Sequence, residues 1–388
     1  MSLFTRKSAI MITCAKGIAP FLKEEVIALG FPVRTESIAG METEGTLADA
    51  MRLNLSIRTG QKVLYLLESF TARSPDDLYK KMLDIPWEDY FLKNGYICVT
   101  SSVDNPSVKD SRFANLRGKD AIVDRFYKKF DSRPSSGPKK DRSVVFIYWK
   151  NNRCGIYIDT SGESLSRRGY RKIPLAAPMQ ETLAAAVILA TGWGKGENFI
   201  NPMCGSGTLA IEAALMAAGR DPGAMRNNYG FMHVNEFSKP QWRKMKGFAE
   251  KAKKASPVKI IATDIDPRAV GAAKINAAAA GVEHLIDFEI CDFADTVIPG
   301  KTGVVVLNPE YGERMGEIRE LGDVYKRIGD YFKQQCAGYR GYIFTGNVEL
   351  AKHVGLRAKS RTPFYNSNIE CRLLEYELYS GSKKKPPE

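Results

Sequence analysis

Asn201-Pro-Met-Cys-Gly-Ser-Gly-Thr208 decides how the chain is read. This run of small residues stands between a short apolar strand, Asn198-Phe-Ile200, and an alanine-rich helix expected from Leu209 to Ala218. Gly205, Gly207 and Ala210 fit the G-x-G-x-x-G/A pattern. Its glycines permit a tight turn with close backbone approach to a ligand, and its last small residue lets helix pack on strand. A second apolar strand, Val304-Val-Val-Leu307, runs into Asn308-Pro-Glu-Tyr-Gly312. Ligands of open α/β sheets bind at the carboxyl ends of the strands, so the two stretches mark one binding edge.

Strands and helices alternate around this pair. Helix Gln180 to Thr191 precedes the turn. Strand Lys259 to Thr263, a helix from Asp266-Pro267 to Ala280 ending at Gly281, strand Ile286 to Ile290, helix Glu317 to Cys336, strand Gly341 to Thr345 and a long strand Ile369 to Tyr379 follow. Such alternation predicts a mostly parallel, doubly wound α/β sheet. The preceding region reads differently. Strand Ser8 to Cys14, helix Ala19 to Leu29, strands Phe31 to Arg34 and Ser37 to Glu42, helix Leu47 to Leu53 and strand Val63 to Phe70 form a small α+β unit. A helix opening at Ser74-Pro, a strand from Tyr96, a basic helix near Asn115 to Phe130 and a hairpin of Val144–Lys150 with Cys154–Asp159 complete it. The expected layout is an N-terminal unit over 1–60, an overlapping second α+β region over 45–160, a basic linker over 161–176, the α/β domain over 177–380 and a disordered tail over 381–388. Residues 219–257 read as an irregular, partly basic insertion.

Composition narrows the partners. The 388 residues carry a net charge of +13, with eleven Lys/Arg against five Asp between Lys109 and Arg142. Clustered cations gain affinity for polyanions by releasing counterions from phosphates, which points to nucleic acid. No apolar run is long enough to cross a bilayer and no secretory signal is evident, so the expected location is the cytoplasm. Seven scattered cysteines without a C-x-x-C pair read as reduced thiols, and three histidines are not spaced with them as a metal site requires; no metal is expected.

The glycine turn does not suit a dinucleotide, because the next strand-ending acid, Asp264, lies 57 residues beyond Gly207 rather than about 20. Nor is there a G-x-x-x-x-G-K-[ST] phosphate grip. A nucleoside ligand without phosphate, S-adenosylmethionine, fits better. Asn201, Cys204, Gly205, Gly207 and Thr208 would then face its amino-acid part. Asp264, with Ile265 beside it, would take the ribose hydroxyls, and Asp292, with Phe293, the adenine. Asp266 before Pro267 reads first as a helix cap. On the acceptor side, the Asn308 side-chain oxygen and the Pro309 carbonyl would hold the two protons of an exocyclic base amine, and Tyr311 would stack on the extruded base.

These motifs, together with Arg167-Arg-Gly-Tyr-Arg171, Ala177-Pro-Met-Gln-Glu-Thr-Leu-Ala184 and Ile211-Glu-Ala-Ala214, resemble those of THUMP-domain class I methyltransferases. The similarity is greatest to the RlmL-like enzymes that methylate guanine N2 in large-subunit ribosomal RNA. The resemblance covers nearly the whole chain. It implies a ferredoxin-like unit, a THUMP RNA-binding module and a Rossmann-like, seven-stranded methyltransferase domain with an antiparallel last strand. It further implies Glu181 and Thr182 near the cofactor, and Arg314 near the target nucleotide with Arg167 and Arg168 on the RNA. Two positions depart from the family: Asn201 replaces a usual Asp, and Glu310 replaces the second proline of N-P-P-Y. An acid at 310 can accept from guanine N1–H. Transfer RNA guanine N2, adenine N6 and a non-catalytic RNA-binding role remain alternatives, and oligomeric state is left open.

Overall fold

A computed structural model describes residues 2–108, 110–175, 178–194, 196–251, 258–300, 302–311 and 315–379. The chain forms two compact units. The first comprises Met1–Ala15, Leu22–Arg167 and Asp221–Lys251; the second comprises Lys16–Phe21, Arg168–Arg220 and Ala252–Glu388.

In chain order the first unit begins with β1 (Ser8–Thr13), α1 (Ala19–Ala28), β2 (Thr35–Ser37), β3 (Gly40–Gly45), α2 (Leu47–Ser56) and β4 (Lys62–Thr71). It continues with α3 (Pro75–Asp84), α4 (Trp87–Tyr90), β5 (Tyr96–Asp104), α5 (Ser111–Phe130), β6 (Ser135–Ser136), β7 (Ser143–Lys150) and β8 (Arg153–Asp159). The strands form one sheet in the order β2-β3-β1-β4-β8-β7-β5-β6. The ferredoxin-like and THUMP-like halves meet where β4 pairs antiparallel with β8, so they share a sheet rather than standing apart. Local chemistry starts the helices. Thr46 and Asp49 form a reciprocal capping box on α2, and Ser74 caps α3 with Pro75 in its first turn. Phe31 to Arg34, expected as strand, is not; the short β2 forms just after it, beyond Pro32.

The insertion also departs from its expected form. Its ordered helix α8 (Lys239–Lys251) and the segment before it belong to the first unit, not to the α/β domain that flanks them in sequence. Tyr229, Phe231 and Trp242 are buried. Tyr229 stacks on Phe231 at 4.9 Å, and Trp242 meets both edge-on at 5.5 and 5.0 Å. The Phe231 amide donates to the Thr160 carbonyl and the Gly223 amide to that of Leu55. These aromatics close a core and are not available to RNA.

The second unit holds α6 (Glu181–Ala190), β9 (Asn198–Pro202), α7 (Thr208–Ala217), β10 (Ile260–Asp264), α9 (Pro267–Ala280), β11 (Ile286–Ile290) and β12 (Gly303–Leu307). After these come α10 (Met315–Gln334), β13 (Arg340–Thr345), β14 (Ser360–Asn366) and β15 (Ile369–Glu377). Its sheet runs β11-β10-β9-β12-β13-β15-β14. The first five strands are parallel, while β15 is antiparallel to both β13 and β14. Every residue of β9 and β12 is buried, as expected for central strands covered on both faces. Strand β14 was not anticipated. Its polar sequence and Pro363 disguise it, and an edge position is where a sheet tolerates proline.

Candidate functional site

Sequence order reverses at β9. The chain adds β10 and β11 on one side, then returns to place β12 and β13 on the other. The glycine turn leaves the carboxyl end of β9 and Asn308 to Tyr311 leave that of β12, so the two stretches face the switch point where such sheets bind ligands.

The turn is left-handed at Met203 (φ 56°), Gly205 (φ 55°) and Gly207 (φ 82°). At Gly207 a Cβ would also sit 2.8 Å from the Ala273 Cβ of α9, so glycine is required twice over. At Gly205 the space is open and only the conformation demands glycine. Three bonds tie the turn to β10 and α9. The Cys204 amide donates to the Thr263 carbonyl at 2.9 Å, and the Gly205 amide to the Asp264 carboxylate at 2.9 Å. The Asn276 side chain, buried in α9, donates to the Ser206 carbonyl at 3.2 Å. Helix α7 starts at Gly207 with no side-chain cap, which leaves first-turn amides directed at the crevice. Burial pushes the Cys204 thiol well up, with the Asp264 charge adding to the effect, so it stays protonated and is no nucleophile.

Asp264 accepts from the Gly205 amide on one oxygen and from the Asp266 amide at 3.0 Å on the other. Each oxygen keeps a lone pair for a further donor. Ile265 beside it is 69% exposed, an apolar surface at a strand end. Asp266 caps α9 by accepting from the Arg268 amide, as its place before Pro267 implied. At Asp292, burial favours the neutral form but is outweighed by the Ala294 amide and the Arg327 guanidinium, which hold the carboxyl below its ordinary range. Phe293 differs from expectation: its ring lies in the core, edge-on to Tyr331 at 6.1 Å and beneath Arg327. That ring cannot serve as a stacking platform.

Three other sequence-chosen residues share one property. The side-chain oxygens of Thr182, Asn201 and Asn308 are buried without a hydrogen-bond partner in the protein. Buried polar atoms are seldom left so, and each one asks for an explanation such as a ligand. Asn201 also answers why it need not be Asp. Its amide nitrogen donates to the Val306 carbonyl at 2.9 Å, tying β9 to β12, and a carboxylate would set oxygen against oxygen there. Glu181 in the first turn of α6 is held by Arg171, which also donates to the Ser206 hydroxyl at 3.2 Å and the Met179 carbonyl at 2.8 Å. Thr208 and Pro309 are buried, Glu310 is exposed and Tyr311 is half-buried. Arg314 lies outside the described residues.

The paired arginines part company. Arg167 is exposed and pairs with Glu163 at 3.0 Å. Arg168 is 1% exposed and directed at Glu212 of α7, whose carboxylate also accepts from the Tyr170 hydroxyl at 3.1 Å. Arg168 therefore anchors the entering chain and does not reach RNA. The basic helix α5 pairs part of its charge within the protein. Arg112, Arg117, Lys119, Arg125 and Lys129 form ion pairs with Asp110, Asp76, Asp120 and Glu88, which satisfy much of the charge that suggested a polyanion. All seven cysteines are free thiols. Among the described residues no cluster of metal-binding side chains occurs, and no helix is long and apolar enough to cross a membrane.

Sequence reasoning passed over Asn276, Arg171, Tyr325, Asn347 and Asn366. A lone asparagine amid the alanines of α9 was a readable signal, since a polar residue on a buried helical face must be bonded. The others bond across long sequence separations that no local pattern reveals.

Comparison with known proteins agrees with this geometry. Residues 168–375 match the family described as UPF0020, RMKL-like methyltransferase domain; residues 9–64 match the RlmL ferredoxin-like domain, and 72–159 the THUMP domain. The chain is 38% identical over 377 residues to the Ribosomal RNA large subunit methyltransferase K/L of Syntrophotalea carbinolica, covering 94% of this chain and 53% of that protein. It spans about half the length of such relatives. It is 33% identical to slr0064 of Synechocystis, a candidate RNA methyltransferase, over 95% of this chain and 96% of the other. Among solved structures, SMU.472, a candidate methyltransferase in complex with SAH, superposes with a TM-score of 0.86 at 25% identity over 98% of this chain and 100% of the other. A Listeria monocytogenes chain described as a predicted N6-adenine-specific DNA methylase gives 0.87 at 29% over 96% and 97%. With more than half of its residues matched by the family model and one relative above 30% identity matched over its full length, the chain belongs to the RMKL-like methyltransferase family.

Proposed function

We propose that the protein is an S-adenosylmethionine-dependent RNA methyltransferase acting on an exocyclic base amine, guanine N2 of large-subunit ribosomal RNA. The observation that carries this reading is the set of buried, unpartnered oxygens on Thr182, Asn201 and Asn308 around one switch point. The names of the K/L relatives and the SAH bound to SMU.472 support it. Acting on ribosomal RNA, the protein would work in the cytoplasm.

When bound, the cofactor supplies an electrophilic methyl group. Thr182, Asn201, the Gly205–Thr208 turn and Asp264 would hold it. An aromatic amine is a poor nucleophile because its lone pair is delocalised into the ring. The Asn308 oxygen and the Pro309 carbonyl accept its two N–H bonds, aim the lone pair at the methyl and stabilise the positive charge that grows on nitrogen. No base is needed before transfer, and the surplus proton leaves to water afterwards. Tyr311 offers its ring to the extruded base. Glu310 favours guanine over adenine: guanine presents an N1–H donor beside its amine, whereas adenine presents a lone pair that a carboxylate repels.

Adenine N6 is the second reading, favoured by the Listeria chain's description. One assay separates the two. Labelled S-adenosylmethionine is incubated with ribosomal RNA from cells lacking this gene, and the modified nucleoside is identified by mass spectrometry. N2-methylguanosine in the large-subunit RNA is expected. Methyladenosine would replace the guanine assignment, label in transfer RNA would replace the ribosomal one, and no transfer despite RNA binding would leave a non-catalytic RNA-binding protein.

A further inference from the structure

We infer that Tyr325, Asn347 and Asn366 are positioning residues that clamp the Asn308–Tyr311 loop in its reactive geometry, an inference that rests on the methyl-transfer reading above. The loop leaves β12 with no strand partner of its own beyond Leu307. Its carbonyls and its aromatic ring are instead gripped from three elements distant in sequence.

Tyr325 of α10 is fully buried and donates to the Glu310 carbonyl at 3.4 Å, while its hydroxyl also lies 2.7 Å from the buried Thr345 hydroxyl at the end of β13. Thr345 accepts from the Asn347 amide at 3.0 Å, which fixes the chain leaving β13. The Asn347 side chain is used at both ends. Its oxygen accepts from the amides of Glu349 and Leu350, each at 3.1 Å, and its nitrogen donates to the Tyr311 carbonyl at 3.3 Å. At the far end of the ring, Asn366 of β14 donates to the Tyr311 hydroxyl at 3.3 Å. Gly346 completes the seat, since a Cβ there would lie 3.1 Å from the Tyr311 ring. The carbonyls of residues 310 and 311 are thus both held, which sets the orientation of the Pro309 carbonyl one peptide away. Among the described residues none of the three clamp residues hydrogen-bonds to Thr182, Asn201, the Gly205–Thr208 turn or Asp264, so the clamp acts on acceptor geometry.

Asn347→Asp is the discriminating variant, because aspartate keeps the two cap bonds and loses the donor to Tyr311. Asn366→Ala removes the hold on the ring, and Tyr325→Phe removes one hydroxyl from the core. Each is tested in the full chain by steady-state transfer to ribosomal RNA, with rates expressed per cofactor-binding site counted by calorimetry. Misplacement of reacting groups by about 1 Å can cost ~100-fold, so kcat is expected to fall about 10- to 100-fold with cofactor Kd unchanged. Unchanged kcat per binding site in both asparagine variants would overturn the clamp. Amide hydrogen exchange of Asn308, Glu310 and Tyr311 gives a readout free of activity: faster exchange in Asn347→Asp than in wild type is expected, and equal exchange refutes it. If the wild-type protein transfers no methyl group to any RNA, the functional reading fails and exchange alone decides the clamp.

Discussion

Helix α5 and the switch point of the second sheet both drew attention in the sequence, and they behave in opposite ways. In α5 conspicuous charge is largely satisfied within the protein. Glu88, its side chain 6% exposed, takes Arg125 and Lys129 at 2.7 Å each, and Arg117 takes Asp76. At the switch point inconspicuous residues are left wanting, with the oxygens of Thr182, Asn201 and Asn308 buried and unpartnered. Charge in a sequence therefore says little until its partners are known. Buried acceptors without donors are more informative where three gather at one switch point, since a lone one, such as the Asn115 oxygen of α5, also occurs.

The largest expected effect lies on the unsatisfied side. Asn308→Ala should lower methyl transfer by about 10²- to 10³-fold, the loss typical of one preorganised partner of a developing charge, with the fold intact by circular dichroism. A loss no greater than that of an α5 substitution would collapse the contrast. The two turn glycines come next. Gly207→Ala combines a left-handed φ with a clash on Ala273 and should cost about 2–4 kcal/mol in urea unfolding. Gly205→Ala, strained but in open space, should cost about 1–2 kcal/mol; equal costs would mean that α9 yields.

Glu88 sharpens the satisfied side through pH. Its burial favours the neutral form, but hydrogen bonds from Arg125 and Lys129 prevail and bring the carboxyl down to about 2. A group whose folded value is depressed stabilises above its unfolded value and loses that contribution as pH falls toward the folded one. Glu88→Gln should therefore destabilise by about 1–2 kcal/mol at pH 7, after allowance for solvent screening of its partners, with the gap to wild type closing between about pH 4.5 and 2. A gap constant with pH would show that the pair adds nothing through charge. Arg117→Ala should do least. Its partner Asp76 is mostly exposed, so a change of about 0.5 kcal/mol or less is expected in the same unfolding assay.

Much of the second unit was legible because parallel sheets write themselves plainly. Strands β9 and β12 carry apolar runs ended by turn chemistry, Asp264 closes β10 and Asp292 comes just after β11. Arg168 was misread because arginine beside Arg167 looks like surface. Only Glu212, 44 residues on, turns it inward. The place of the Phe293 ring was not legible, because its neighbour Asp292 sits at a strand end while the ring itself turns under Arg327. Strand β14 was missed because nothing in Ser360-Arg-Thr-Pro363 alternates cleanly between apolar and polar. The insertion was recognised but not its place in the first unit, because aromatic residues between helices fit a core or a ligand surface equally well, and only partners such as Thr160 and Leu55 choose.

That insertion makes the protein less modular than its succession of matched segments suggests. The first unit receives Tyr229, Phe231 and Trp242 from chain made long after Arg167, so during vectorial synthesis it stays incomplete until residue 251 has left the ribosome. The linker is not a place where the molecule can be cut in two. A gene fragment ending at Arg167 would encode a domain with a missing wall, and one starting at Arg168 would carry that wall with nothing to close.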